Sequence, residues 1–164
     1  MRRPSVKKIT LALTISSLAL TLTACSGAGP NASTRLIKQV TDGVEAKVLT
    51  DGNDLRIVNT LLVATEDGSA VVVGTMVNST ATPDTLLGIY AGGTQAKISG
   101  TTTLDQNKPL IFEGESATTK AVFAGVGATP GKHVTVTFAF ARAGKVSVDV
   151  IIRDKRDDYA NVTA

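Results

Sequence analysis

The stretch from Lys132 to Arg153 constrains this chain more than any other. In it Val134, Val136, Phe138 and Phe140 alternate with His133, Thr135, Thr137 and Ala139. After Ala143-Gly144, Val146, Val148, Val150 and Ile152 alternate with Ser147 and Asp149. Successive side chains of a strand point to opposite faces, so each run has one apolar face. Two such strands joined by a tight turn form a hairpin, and its apolar face needs a second layer to cover it. Val136, Phe138, Val148 and Val150 are therefore expected in a core.

The upstream sequence reads the same way. Val44 to Leu49 is a candidate strand ended by Asp51-Gly52, and Leu55 to Thr65 is a second. Leu55 and Ile57 alternate with Arg56, but Leu61-Leu62-Val63 breaks the phase, which a bulge near Asn59-Thr60 would reconcile. Glu66-Asp67-Gly68 is a hairpin turn, and Ala70 to Asn78 is the return strand. Shorter candidates are Leu86–Tyr90, Ala96–Ser99, Leu110–Phe112 and Thr118–Phe123, each bounded by Gly, Pro or Asn. The expected fold is all-β, an immunoglobulin-like or cupredoxin-like Greek-key sandwich of about seven to nine strands. It spans residues 42–153, and the charged residues 154–164 are expected to be a disordered tail.

The N-terminus follows other rules. Met1 to Lys8 is short and cationic, and Ile9 to Leu22 is an apolar run of 14 residues. A bilayer crossing takes about 20, so residues 1–24 read as a signal peptide. Leu22, Thr23, Ala24 and Cys25 form a lipobox: aliphatic, small, small, Cys. The thiol of Cys25 would be alkylated by diacylglycerol, and small residues before it would admit the signal peptidase. Residues 25–41 follow as a lipidated Cys and a flexible tether, with SGAGPNAS at Ser26–Ser33 and a short helical turn expected over Thr34–Val40. Arg2-Arg3 hints at a twin-arginine signal; with Ser5 where that motif prefers Phe, the general secretory route is favoured. The expected location is the extracytoplasmic face of the cell membrane, held to the lipid bilayer by the acyl chains on Cys25, palmitate among them.

Composition removes several function classes. The chain has 17 Lys and Arg against 14 Asp and Glu, but Arg2, Arg3, Lys7 and Lys8 precede Cys25, leaving 13 basic residues after it. The net charge of +3 thus reports the targeting segment. No nucleic-acid partner is expected, since that needs a clustered basic footprint on the folded domain. With no Trp, four Phe and two Tyr, stacking platforms for bases or sugars are scarce. The sole Cys excludes an intrachain disulfide.

Gly131 to Arg153 (GKHVTVTFAFARAGKVSVDVIIR) resembles the closing hairpin of the PCuAC-type periplasmic copper chaperones. Met76-Val77-Asn78 followed by Pro83-Asp84, Leu86 and Gly88 is similar to their Asn…Asp-x-Leu-x-Gly segment. Asp42-Gly43-Val44 with Leu55-Arg56-Ile57 and Asn59 resembles a branch of actinobacterial lipoproteins, the mycobacterial LpqE-like group among them. The resemblance implies a cupredoxin-like sandwich and a Cu(I) site of two His and two Met, soft donors for a soft ion. Here Ser99 falls about where the first His would be, and Lys120 and Val122 fall about where the His-x-Met pair would be. Leu104 to Pro109 offers no Met.

The remaining candidates read as architecture. His133, the one His, is either a metal ligand or a surface residue at a strand start; its phase opposite Val134 favours the surface. Met76 is expected in the core. Asp51-Gly52-Asn53-Asp54 could ligate a cation through oxygens but is short for a calcium loop, so a plain turn is expected. A Ser-His-acid triad would have to use His133, with no nucleophile elbow beside any Ser. The sequence therefore reads as a non-catalytic binding or assembly module for an unidentified protein partner or ligand, with no cofactor and no metal. The alternative is a metal chaperone with a non-standard ligand set.

Cys25→Ser should abolish incorporation of radiolabelled fatty acid and leave the precursor uncleaved by the lipoprotein signal peptidase. A wild-type protein that takes up no label and is freely secreted would contradict the lipobox reading.

Overall fold

The computed structural model describes residues 42–164. The signal segment, Leu22, Thr23, Ala24 and Cys25 of the lipobox, the tether and the turn expected over Thr34–Val40 lie outside the described residues.

The described chain is all-β. Its strands are β1 Val44–Val48, β2 Leu55–Ala64, β3 Ala70–Asn78, β4 Asp84–Ala91, β5 Thr94–Gln95, β6 Lys97–Gly100, β7 Thr103–Leu104, β8 Leu110–Ile111, β9 Thr119–Phe123, β10 His133–Phe140 and β11 Lys145–Arg153. Hydrogen bonding runs β5-β4-β10-β11-β2-β3-β9-β6, with β1 on β2, β7 on β4 and β8 on β3. The two strands beyond the expected nine, β5 and β7, are two-residue ladders too short to show periodicity. All pairs are antiparallel except β11 with β2, which join in parallel at Ile152–Leu62 and Arg153–Val63. The path folds over its own inner face, so Phe138 of β10, Phe123 of β9, Met76 of β3 and Phe112 meet in one cluster. No helix among the described residues is long and apolar enough to cross a membrane.

The closing hairpin forms as expected, and its register sets Val136 opposite Val148 and Phe138 opposite Val146. Val136, Phe138 and Val150 are fully buried. Val148 is the exception: it is half-buried, packed against the edge of the cluster.

The bulge in β2 forms where the phase breaks. Register slips between Val58 and Leu61, and Asn59 takes φ 50°. The Asn59 side chain accepts a hydrogen bond from the Gly43 amide at 2.9 Å. Glycines flank this kink because backbone approaches it from both sides. A Cβ on Gly43 would lie 2.3 Å from the Asn59 carbonyl carbon, and one on Gly74 would lie 2.9 Å from the Thr60 hydroxyl. The slip puts Leu62 and Ala64 into the main cluster and turns Leu61 and Val63 outward.

Those outward residues are not exposed. Leu61, Val63 and Val71 form a second cluster with Val162, flanked by Val73, Val122, Ile151 and Tyr159. The segment from Asp154, expected to fray, is therefore seated. It makes a 3-10 turn at Asp157–Tyr159, buries Val162 and ties Thr163 to Lys120 at 2.9 Å. Burial first, and the Asp42 carboxylate next, hold the Tyr159 phenol above its ordinary pKa and hence neutral. Arg153 meets Asp42 at 3.3 Å, joining the two ends of the domain. Apolar cover for an otherwise wet valine face is the physical reason the charged tail orders.

The Asn…Asp segment of the family resemblance is structural. Buried Asn78 donates to the carbonyls of Thr82 (2.9 Å) and Leu104 (3.0 Å) and accepts from the Thr80 amide (3.1 Å). Buried Asp84 accepts from the amides of Arg142 (2.8 Å) and Ala143 (2.9 Å), clasping the β10–β11 turn. Each satisfies groups that would be costly to bury unpaired.

Phe138→Ala should cost about 3–5 kcal/mol in denaturant unfolding, as deletion of a fully buried Phe does. Val148→Ala should cost clearly less than Val150→Ala, the same deletion at a fully buried site, because the Val148 site is partly wet. Equal losses would show that the hairpin face is not graded as described.

Candidate functional site

Ser99, Lys120 and Val122 come together. In the β6–β9 ladder Ser99 faces Lys120 and Lys97 faces Val122. Ala121 points into the main cluster, so its neighbours Lys120 and Val122 take the outer face. Lys120 Nζ lies 2.9 Å from the Thr163 hydroxyl and 3.9 Å from a Glu113 carboxylate oxygen. Val122 packs in the cluster that Val162 closes. The place is a surface of one hydroxyl, one ammonium and one isopropyl group, partly roofed by the C-terminal segment. An ammonium has no lone pair to give, and a Val side chain has no donor atom. These residues do not fit a Cu(I) site.

Met76 is buried in the main cluster, opposite Ile57 on one side and Leu110 on the other. His133 is exposed at the start of β10, with Nδ1 3.3 Å from Asp149 Oδ2. The structure does not bring the two together. Asp51 (φ 54°) and Gly52 (φ 73°) form a turn in which Asn53 bonds back to the Thr50 carbonyl, and Asp54 pairs with Arg56 at 3.1 Å. Its carboxylates do not converge. Among the described residues no group of three or more His, Cys, Asp or Glu is placed to hold a metal.

A cavity that the sequence reading missed opens at the end of the sandwich where His133 sits. Its volume is about 300 Å³. Leu62, Ala70, Phe123, Val134 and Ile152 give it apolar walls, and Thr94, Thr129, Lys132 and His133 stand among its lining. The glycine-rich segment Gly125–Thr129 closes one side and is held by the β2–β3 turn. The amides of Gly127 (3.0 Å) and Ala128 (3.4 Å) donate to the Gly68 carbonyl, and the Gly125 amide donates to the Ser69 hydroxyl at 3.4 Å. That hydroxyl in turn donates to Asp67 at 2.9 Å. Hydrogen bonds from the Thr65 hydroxyl first, then from Ser69, hold the exposed Asp67 carboxyl below the usual carboxylate range. The one sequence signal for this place was the run Gly125-Val-Gly127, whose glycines both take positive φ.

No family model matches the chain, and no curated protein matches it. Solved structures do. The copper-bound PCuAC domain from PmoF2 is 17% identical, with a TM-score of 0.53, over 61% of this chain and 92% of that one. The apo PCuAC domain from PmoF1 is 22% identical, with a TM-score of 0.51, over 61% and 93%. The apo PmoF2 PCuAC domain is 16% identical, with a TM-score of 0.52, over 63% and 92%. At these identities the likeness is one of fold: the chain has a PCuAC-like, cupredoxin-like sandwich.

Asp67 should couple the turn to the cavity wall in a pH-dependent way. Its folded pKa is lowered, so its contribution is present above the unfolded value and is lost as pH falls through the folded one. Asp67→Ala at neutral pH should therefore lower the amide protection factors of Gly125 and Gly127, and strong acid should do the same to wild type. Unchanged protection in the variant would show that the turn does not carry the loop.

Proposed function

We propose that this chain is a membrane-anchored extracytoplasmic lipoprotein whose sandwich is a non-catalytic binding or assembly module on the copper-chaperone fold, without the copper ligand set. The observation that carries the reading is the outer face of β6 and β9. Where the family resemblance calls for soft donors, Ser99, Lys120 and Val122 lie side by side, and Lys120 and Val122 are engaged by the C-terminal segment.

Two further features support it. Tight Cu(I) binding needs several soft donors held together. After Cys25 the chain has one Met, in the core, and one His, on the surface. Acyl transfer through a His base needs a nucleophile in hydrogen-bond reach, and the polar partner of His133 is the carboxylate of Asp149. Anchoring rests on the lipobox at Leu22–Cys25, whose thiol would be consumed as a thioether to lipid.

The test is to titrate the polypeptide from Ser26 onward with Cu(I) against a chromogenic chelator. It contains every described strand and both apolar clusters, so it carries its own core. Cu(I) should stay with the chelator. Stoichiometric submicromolar binding that is lost in His133→Ala or Met76→Leu would overturn the reading in favour of a chaperone with a non-standard ligand set, His133 pairing across two copies.

A further inference from the structure

We propose that the end cavity beside His133 is a binding site for a small amphipathic anion, a single aliphatic chain ending in an anionic head such as a carboxylate. The inference rests on the reading of this domain as a binding module and names what it takes.

The space exists because small residues line it. Ala70, Ala91, Gly92, Gly127 and Ala128 stand where larger side chains would fill the end of the sandwich. The deep wall is rigid, since Leu62, Ala70, Phe123 and Ile152 belong to the main cluster. Ligand pockets span roughly 300–1,000 Å³, and this one, at about 300 Å³, admits one short chain and not a two-chain lipid. At the lip Val126 is 38% exposed, an apolar surface that a bound chain would cover.

Charge selects the head group. No Asp or Glu lines the cavity, while Lys132 and His133 both do. Lys132 makes no ion pair among the described residues, and His133 is paired through Nδ1 alone. The Thr94 hydroxyl adds a donor to the lining, while that of Thr129 already donates to the Gly127 carbonyl at 3.3 Å. A cationic head would find no carboxylate in the lining, since that of Asp149 lies outside it on His133 Nδ1. An anionic head would meet an unpartnered ammonium while its tail leaves water.

The probe is decanoate, kept below its micelle concentration and titrated into the isotopically labelled polypeptide from Ser26 onward, with amide chemical shifts as readout. Saturable shifts should concentrate at Thr94, Gly127–Thr129 and His133–Val134. Ala128→Phe, which fills the space, should abolish them while the other strand resonances stay in place. Lys132→Glu, and replacement of decanoate by neutral 1-decanol, should each weaken binding by about tenfold or more, the scale of one charge-assisted contact. Absence of saturable shifts at millimolar decanoate would overturn the proposal. So would shifts indifferent to both substitutions, 1-decanol binding as tightly, or a response to anionic phosphatidylglycerol vesicles alone, which would mark a membrane contact instead. Failure here leaves the Cu(I) titration unaffected, so the two readings fall separately.

Discussion

The β2–β3 ladder is buried on both faces, and much else in the domain answers to that fact. One face, with Leu62, Ala64, Ala70 and Val72, looks into the sandwich. The other, with Leu61, Val63 and Val71, would be a valine-rich patch in water were it not covered. The cover comes from the C-terminal segment through Val162 and Tyr159. Seating that segment brings Thr163 onto Lys120, and Arg153 at its root meets Asp42. One packing demand thus ties both ends of the domain and occupies the outer face of β9.

The closing hairpin was legible because a two-residue period has a single structural meaning when one face is apolar. The bulge at Asn59-Thr60 was legible because only an extra residue reconciles Leu55 and Ile57 with the run that follows. The seated tail was not. Val162 is one aliphatic side chain between Asn161 and Thr163, and a single residue carries no period; its partner, the outer face of β2, is about a hundred positions away in sequence. The continuous runs Leu61-Leu62-Val63 and Val71-Val72-Val73 did hold the clue, since uninterrupted apolar strands are buried on two faces. Val148 fell short of full burial because phase reports which face a residue takes and not how far the covering layer extends.

The candidate sites divide in the same way. That Ser99, Lys120 and Val122 differ from soft metal donors could be read from residue type alone, but their convergence on one ladder needed the strand pairing. The cavity was invisible in sequence because small residues from three separate segments make it, and an alanine in isolation says nothing of the space around it. The domain therefore presents two unlike places: an outer face engaged by its own C-terminus, and an open apolar pocket with basic residues in its lining.

The account turns on the C-terminal segment being a fixed part of the sandwich. Methyl NOEs and backbone heteronuclear NOEs on the polypeptide from Ser26 onward test this directly. The account predicts cross-peaks from the Val162 methyls to those of Leu61, Val63 or Val71, and heteronuclear NOEs for Tyr159–Thr163 close to those of β2 and β3. Absent cross-peaks with near-zero or negative heteronuclear NOEs would contradict it, leaving the valine face bare and Lys120 and Val122 unroofed.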